Sequence, residues 1–349
     1  MKIIVYSDLH LYNHHKLLIN SETALSFLSY IKNFALKNNI NTIISLGDFF
    51  HTKSRAYAPH VVQALLKIKD MYKENIMNYM LIGNHDMSNP SNTMNSILFT
   101  FSDYAKIIPD YIFVDEGDTR LHFLSYSNSR FDEYILSEDK KNVLFGHLDI
   151  LGFTMSNGIE CKSGYDPETL KEKFDLVISG HYHQFQVKNN IVYVGSSFQT
   201  NFGERNQSHG FIVLDTDTLI YEFVEYDKSP KYIVEEIKEI NDIDKMNVNN
   251  SFLRLKLKNN KINKQKLKEK LIELGALSVE IIPPEEVKEI EKYYKDVLSD
   301  NPEEIAAAYL DNLKNLNGFD LHKLMKHFRK IEEVSNKISD YEIEEFGEE

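Results

Sequence analysis

Five times within its first 183 residues the chain runs from a short apolar stretch straight into residue types that bind metal ions. The segments are Ser7-Asp8-Leu9-His10, Gly47-Asp48-Phe49-Phe50-His51, Gly83-Asn84-His85-Asp86, Gly146-His147 and Gly180-His181-Tyr182-His183. In an open α/β sheet the C-terminal strand ends face one crevice, where ligands bind. Asp8 and His10 stand two apart, as do His181 and His183, so on extended chain each pair points to one side. Glycine at the head of four of the five segments permits sharp exits and close backbone approach. Carboxylates, imidazoles and an amide, without a thiolate, favour a hard-to-intermediate divalent ion such as Mn²⁺ over structural zinc. A lone Gly-His or Asp-x-His is commonly a turn or a satisfied polar group, and Gly-Asn-His-Asp alone can be a plain β-turn. Five in series, each after a strand-like run, point to a metal site.

Strand-like runs at 3–7, 42–46, 79–82, 112–114, 121–125, 142–145, 176–179, 191–194 and 211–214 are interspersed with amphipathic stretches at 21–38 and 57–72. That alternation predicts an α/β fold, a layered β-sheet sandwich flanked by helices, with partly antiparallel pairing after residue 110. The length of 349 residues allows two domains, or one with an appendage, and 42% hydrophobic residues suffice for a core. No apolar run approaches the ~18 residues of a membrane span. Asp8 comes too early for a signal peptide. A single cysteine, Cys161, excludes a disulfide framework and a thiolate zinc site, and fits a reducing cytoplasm.

The net charge of −13 is unevenly spread. Residues 1–250 hold 23 basic and 32 acidic groups, residues 251–282 hold 8 and 3, and residues 283–349 hold 9 and 18. The basic island coincides with a small α+β module: an alternating strand at 251–257, an amphipathic helix at 263–274 with Leu267, Leu271 and Leu274 inside, closure at Gly275, and a strand at 277–282. Its Arg254, Lys256, Lys258, Lys261, Lys264, Lys266, Lys268 and Lys270 are either a solvated face or a nucleic-acid contact, which needs such a surface. After Pro283-Pro284, stretches 285–298, 302–316 and 320–338 have helical periodicity with sparse apolar stripes, including Val287, Ile290, Tyr294, Leu313 and Phe328. Such helices dock on their own domain or on a partner. The expected boundaries are 1–245, 246–282 and 283–349.

The five segments resemble the signature motifs of the calcineurin-like metallophosphoesterases. The start Asp8-Leu9-His10-Leu11, the Gly47-Asp48-Phe49-Phe50-His51 form and the C-terminal additions are similar, more narrowly, to the SbcD-type recombination nucleases, in the short version carried by large bacteriophages. The motifs cover residues 8–183. The resemblance implies the metallophosphoesterase fold, with the basic module as a small cap over the active-site groove. It also implies two Mn²⁺ ions, with Mg²⁺ possible. Asp8, His10, Asp48 and His183 would hold one ion; Asp48, Asn84, His147 and His181 would hold the other, with Asp48 bridging. His85 matches the family's catalytic histidine, Asp86 would orient it through its second nitrogen, and His51 matches a further site histidine or is a packed one. The loop 195–204 follows the fifth motif where the family has a Gly-Ser loop near metals and DNA.

The implied function is DNA exo/endonuclease activity in double-strand break processing, repair and recombination, in a bacterial or phage-infected cytoplasm. The implied partners are DNA, an SMC-like coiled-coil ATPase held by the C-terminal helices, and a second copy of the chain joined through helices near 55–72 and 92–105. Two rivals remain: a phosphomonoesterase or small-substrate phosphodiesterase on the same scaffold, and a non-catalytic DNA-end tether. His14, His15, His60, His122, His209, His322 and His327 lie outside the motifs and are expected at the surface or in packing.

Overall fold

Strand β1 (Lys2–Tyr6) is buried on both faces, which explains its unbroken apolar run. Ile3 and Val5 join one core cluster, and Ile4 and Tyr6 join another. This alternation runs through a computed structural model that describes residues 1–12, 19–52, 57–88, 93–127, 132–155 and 158–284. The chain divides into two compact units. The first comprises Met1–Val234, Asn247–Leu253 and Leu271–Val279; the second comprises Glu235–Met246, Arg254–Lys270 and the chain from Glu280.

In the first unit β1 lies beside β2 (Thr42–Ser45), then β3 (Met77–Leu81) and β4 (Lys106–Ile108), all parallel. On its other side β11 (Gly210–Asp215) and β12 (Tyr221–Glu225) continue the sheet antiparallel. A second six-stranded sheet contains β5 (Tyr111–Glu116), β6 (Thr119–Leu124), β7 (Lys141–His147), β8 (Leu176–Gly180), β9 (Gln186–Lys188) and β10 (Ile191–Tyr193), in the order β5-β6-β7-β8-β10-β9. Its inner strands are parallel and its two edge pairs antiparallel, so the mixed pairing expected after residue 110 is present.

Ile3, Val5, Ile44 and Leu81 of the first sheet meet Phe123, Val143, Phe145 and Ile178 of the second in one buried cluster, the sandwich interior. Truncating a fully buried phenylalanine such as Phe145 to alanine would cost ~3–5 kcal/mol. Helices α1 (Ile19–Lys37) and α2 (Ala58–Lys73) cover the outer face of the first sheet through Phe27, Leu28, Ile31, Ala64 and Ile68. The short helix α3 (Pro167–Lys173), capped by the Asp166 side chain, places Leu170 in the cluster on the outer face of the second. The layered sandwich flanked by helices therefore stands. β1, β2 and β3 run parallel in one sheet, and β7 and β8 in the other, so all five ligand segments lie at C-terminal strand ends.

The module contains β14 (Ser251–Leu257), helix α4 (Lys264–Glu273) and β15 (Ala276–Ile282), close to their expected bounds. A further strand, β13 (Lys231–Ile237), precedes residue 246 and completes a sheet of order β13-β14-β15. Leu267 and Leu271 are buried, whereas Leu274 is 46% exposed because α4 ends before it. The stretch 92–105 contains two short 3₁₀ turns, Thr93–Asn95 and Ile97–Phe101, in place of a longer helix. The helices expected within 285–338 lie outside the described residues, as do His14, His15, His322 and His327.

Candidate metal centre

β1 ends at Tyr6, and the chain then turns: Asp8 has φ +50° and His10 φ +46°. Asp8 and His10 therefore converge through left-handed backbone, not along an extended strand. The same correction applies to His181, at φ +95°. Asp48 follows suit at +51°, behind Gly47 at +108°. Such non-glycine conformations cost of order 1–3 kcal/mol each and persist where surrounding contacts over-determine them. Here Asp8 N donates to Gly47 O (3.1 Å), His10 N to Asp48 O (3.0 Å) and Leu11 N to Phe49 O (2.9 Å), zipping the first two loops together beyond the sheet. His181 N donates to Asp8 Oδ2 at 3.0 Å, tying the fifth loop to the first. A Cβ on Gly47 would lie 2.7 Å from His147 Nδ1, and one on Gly83 would strike the Asp48 carboxylate. The glycines allow the loops to touch.

All seven expected ligands meet at this point. Asp8, His10 and His183 have ligand atoms within 4.8 Å of one another, as do Asp48, His147 and His181. His10 Nε2 lies 3.0 Å from His183 Nε2, 3.9 Å from Asp8 Oδ1 and 3.8 Å from Asp48 Oδ2. His147 Nε2 lies 3.5 Å from Asp48 Oδ1, 3.1 Å from Asn84 Oδ1 and 3.2 Å from His181 Nδ1. Asp48 thus turns one oxygen toward each group. Two ligand atoms ~2.1 Å from one ion, at angles of 90–110°, stand about 3.0–3.4 Å apart, the spacing of the closest pairs here. Asp8 Oδ1 is buried without a hydrogen-bond partner, an expensive arrangement that a cation would relieve. The residues fit a pair of divalent ions.

The distal nitrogens of the histidines are held in turn. His183 Nδ1 donates to Glu204 Oε1 (2.7 Å), His181 Nε2 to Asp149 Oδ1 (3.0 Å) and His147 Nδ1 to Leu46 O (2.9 Å). Such partners fix ring orientation and raise ligand basicity. Neither Glu204 nor Asp149 was singled out from sequence. Asp149 carries a weak signal, two residues after His147, whereas Glu204 stands 21 residues beyond His183. Glu204 lies in the loop 195–204, which also sends Ser197 Oγ to Ser7 O at 2.9 Å.

On the third loop, His85 donates its backbone N–H to Asp48 Oδ1 at 2.8 Å. Its ring Nδ1 donates to His51 O at 2.6 Å. The expected pairing of Asp86 with His85 is corrected: the Asp86 carboxylate accepts the backbone N–H groups of Phe49 (3.2 Å), Phe50 (2.9 Å) and Gly83 (3.0 Å). These three amides engage the Asp86 carboxylate, and the bond that orients the His85 ring goes instead to the His51 carbonyl. The His51 ring is exposed and stacks on His85, centroids 5.5 Å apart.

A sequence profile of calcineurin-like phosphoesterases matches residues 1–185. The chain belongs to the calcineurin-like phosphoesterase family. Within it, exonuclease subunit 1 of Enterobacteria phage T4 is 26% identical over 204 residues, 55% of this chain and 58% of that protein. A subunit of the nuclease SbcCD from Staphylococcus epidermidis is 36% identical over 89 residues, 24% of each chain. The chain thus spans less than two thirds of either relative. An archaeal phosphodiesterase structure overlaps 65% of this chain and all of its own, at 15% identity and a TM-score of 0.35. The motif-bearing half of the chain is thus that of a calcineurin-like phosphoesterase.

Charged and neutral groups in the crevice are strongly perturbed by burial and by one another. Burial, reinforced by His183, holds His10 well below the usual imidazole range, so its ring is neutral. Burial works to lower His147, but Asp48, Asp8 and the bond to Leu46 O together push it up to about 9. Burial opposes ionisation of Asp48, yet His147 and His10 hold its carboxyl far below the ordinary value. Asp86 is pushed up to about 7 by burial and then by the Asp48 charge.

Among the module's basic residues, Arg254 Nε pairs with Glu280 (2.7 Å), Lys258 with Glu236 (2.7 Å) and Lys270 with Asp244 (2.8 Å). Lys261, Lys264, Lys266 and Lys268 are exposed and Lys256 is half-buried. His60, His122 and His209 are buried packing residues, as expected.

Proposed function

We propose that this phosphoesterase is a two-metal DNA nuclease using Mn²⁺, the nuclease subunit of an SbcCD-like complex in break repair and recombination. The single observation that carries this reading is the shared carboxylate: Asp48 faces both ligand groups while accepting the His85 backbone N–H. The two relatives whose names identify nuclease subunits support a nucleic-acid substrate. Asp8, His10, Asp48 and His183 would hold one ion, and Asp48, Asn84, His147 and His181 the other. Bound divalent ions supply Lewis acidity for water activation and charge neutralisation at a phosphodiester.

The chain's own residues do the rest. His85, its Nδ1 proton fixed on His51 O, presents Nε2 to move a proton at the leaving 3′-oxygen. His51 walls that position, and Asp86 pins the Phe49, Phe50 and Gly83 amides that shape the second and third loops. Residues 1–245 would form the nuclease domain, with the module from 246 to 282 as a DNA-contacting cap through Lys261, Lys264, Lys266 and Lys268. The chain from 283 onward would bind the ATPase. A homodimer would use the outer face of α2, where Val62 and Leu66 are 53% and 57% exposed.

The test is hydrolysis of linear duplex and single-stranded DNA in Mn²⁺ and in Mg²⁺, with and without the coiled-coil ATPase and ATP. Cleavage in Mn²⁺ that disappears in His85→Ala is expected. Strong turnover of small phosphomonoesters without DNA cleavage would replace this reading by a phosphomonoesterase.

A further inference from the structure

His10 faces two ways. Its Nε2 belongs to the group with Asp8 and His183, while its Nδ1 lies 3.4 Å from His51 Nδ1. On this second side the ligand atoms of His10, His51 and His85 lie within 4.8 Å of one another, with no carboxylate among them. His10 meets the stacked His51 and His85 rings edge-on, at centroid distances of 5.2 and 5.0 Å. Tyr12 packs against His51 at 4.6 Å and steadies its ring.

A separation of 3.4 Å makes any hydrogen bond between the two nitrogens a long and weak one. It is the spacing of two nitrogens bound ~2.0–2.1 Å from one tetrahedral ion, which stand about 3.3–3.4 Å apart. His85 has its Nδ1 proton engaged by His51 O, leaving the Nε2 lone pair for a ligand. The exposed His51 side chain provides the entry route.

We propose that His10, His51 and His85 form a third cation site, selective for Zn²⁺ or Cu²⁺ over Mn²⁺, whose occupation inhibits the enzyme. Three imidazoles without an oxygen ligand suit Zn²⁺ and Cu²⁺, whereas the carboxylate-bearing groups also suit Mn²⁺. A neutral imidazole offers one lone pair. With it on Nε2, His10 serves the Asp8–His183 group and directs its Nδ1 proton at His51. With it on Nδ1, the proton moves to Nε2 and His10 serves the three-histidine site. For the neutral ring the two uses exclude each other, so an ion bound at the rim displaces the ion beside Asp8 and also occupies the His85 lone pair. Inhibition rests on the nuclease reading; the site itself does not.

Crystals of the Mn²⁺-loaded protein equilibrated with a few equivalents of Zn²⁺ provide the test, by anomalous diffraction at the zinc edge. A zinc peak bonded to nitrogens of all three histidines is expected, with reduced manganese between Asp8 and His183. In His51→Ala that peak should vanish while manganese remains. Zinc confined to the two carboxylate-bearing groups, or an unchanged rim peak in His51→Ala, would overturn the site. In solution, the Zn²⁺ concentration that halves Mn²⁺-dependent DNA hydrolysis should rise at least tenfold in His51→Gln, with each protein normalised to its own Mn²⁺ rate. No rise would refute the inhibitory role. Absence of DNA cleavage by the wild-type protein in Mn²⁺ alone would instead sink the nuclease reading and leave the diffraction result standing.

Discussion

In the crevice, Asp8, His10, Asp48 and His147 are each 6% exposed or less, and their polar atoms face one another across 3.5–3.9 Å. On the module, Arg254, Lys258 and Lys270 meet Glu280, Glu236 and Asp244 with 36–42% of the basic side chain in solvent. Water screens the second set, so each pair contributes ~0–1 kcal/mol and can open for another anion. The first set is fixed by backbone strain and long-range hydrogen bonds, and loss of one partner leaves a buried charge uncompensated. A site that must hold ions in one geometry is built the first way. The second arrangement suits the DNA contact proposed for the module.

The largest effect that would break this contrast is expected at Asp48. Asp48→Ala removes the carboxylate that faces both groups and should lower Mn²⁺-dependent hydrolysis about a thousandfold or more, the scale of several kcal/mol of lost charge stabilisation. Metal content measured on the same protein should fall for both groups; retention of both ions would refute the shared role. Glu204→Gln keeps the shape of the loop but weakens the hold on His183 Nδ1, so Mn²⁺ affinity should drop ~10–100-fold by titration calorimetry. An unchanged isotherm would mean that burial alone orients His183.

On the module, the triple change of Lys264, Lys266 and Lys268 to Ala should weaken DNA binding without altering metal content. It should also flatten the salt dependence by about 0.9 in log–log slope for each lysine that meets a phosphate. A slope equal to that of the wild type would make this face merely solvated.

The smallest effect is in pH, and there the two regions carry opposite signs. Asp86 has its carboxyl raised to about 7, so the metal-free folded protein holds a proton that the unfolded chain has released. Its contribution to stability falls as pH rises from about 4 to about 7. Glu236, paired first of all by its hydrogen bond to Lys258, is shifted down, so its contribution is lost as pH falls below about 4.5. Melting curves of metal-free protein, wild type against Asp86→Asn and Glu236→Gln, should flatten in those separate windows. A common window for both would break the contrast.

Much of the site was legible because each segment is local: strand, exit, ligand. β1, β2, β3, β7 and β8 all carry near-continuous apolar runs, which two-sided burial demands. β4, β9, β12 and β13 escaped notice because they are short or only half-buried, with burial patterns as mixed as that of Gln186–Lys188, half-buried at its first residue and exposed at the next two. Asp86 was assigned to the wrong partner because adjacency in sequence to His85 says nothing about direction. Its carboxylate turns back onto amides from residues 36 and 37 positions earlier. Glu204 was hidden for a similar reason, as a loop glutamate has no local mark of the histidine it will hold.

By itself the amino-acid sequence determined which residue types lie at the ends of buried strands, and hence the ligand chemistry and the layered α/β architecture, while its motifs carried the resemblance to the family. Those properties follow from hydrophobic period and side-chain identity, which act over a few residues. The resemblance already implied which ligands share an ion; only the tertiary structure decided how they reach one another. His10 finds His183, 173 positions further along the chain, through left-handed turns that no propensity would select. Tertiary packing also decided that His10 faces His183 with one nitrogen and His51 with the other, because a ring's orientation is set by what surrounds it on every side.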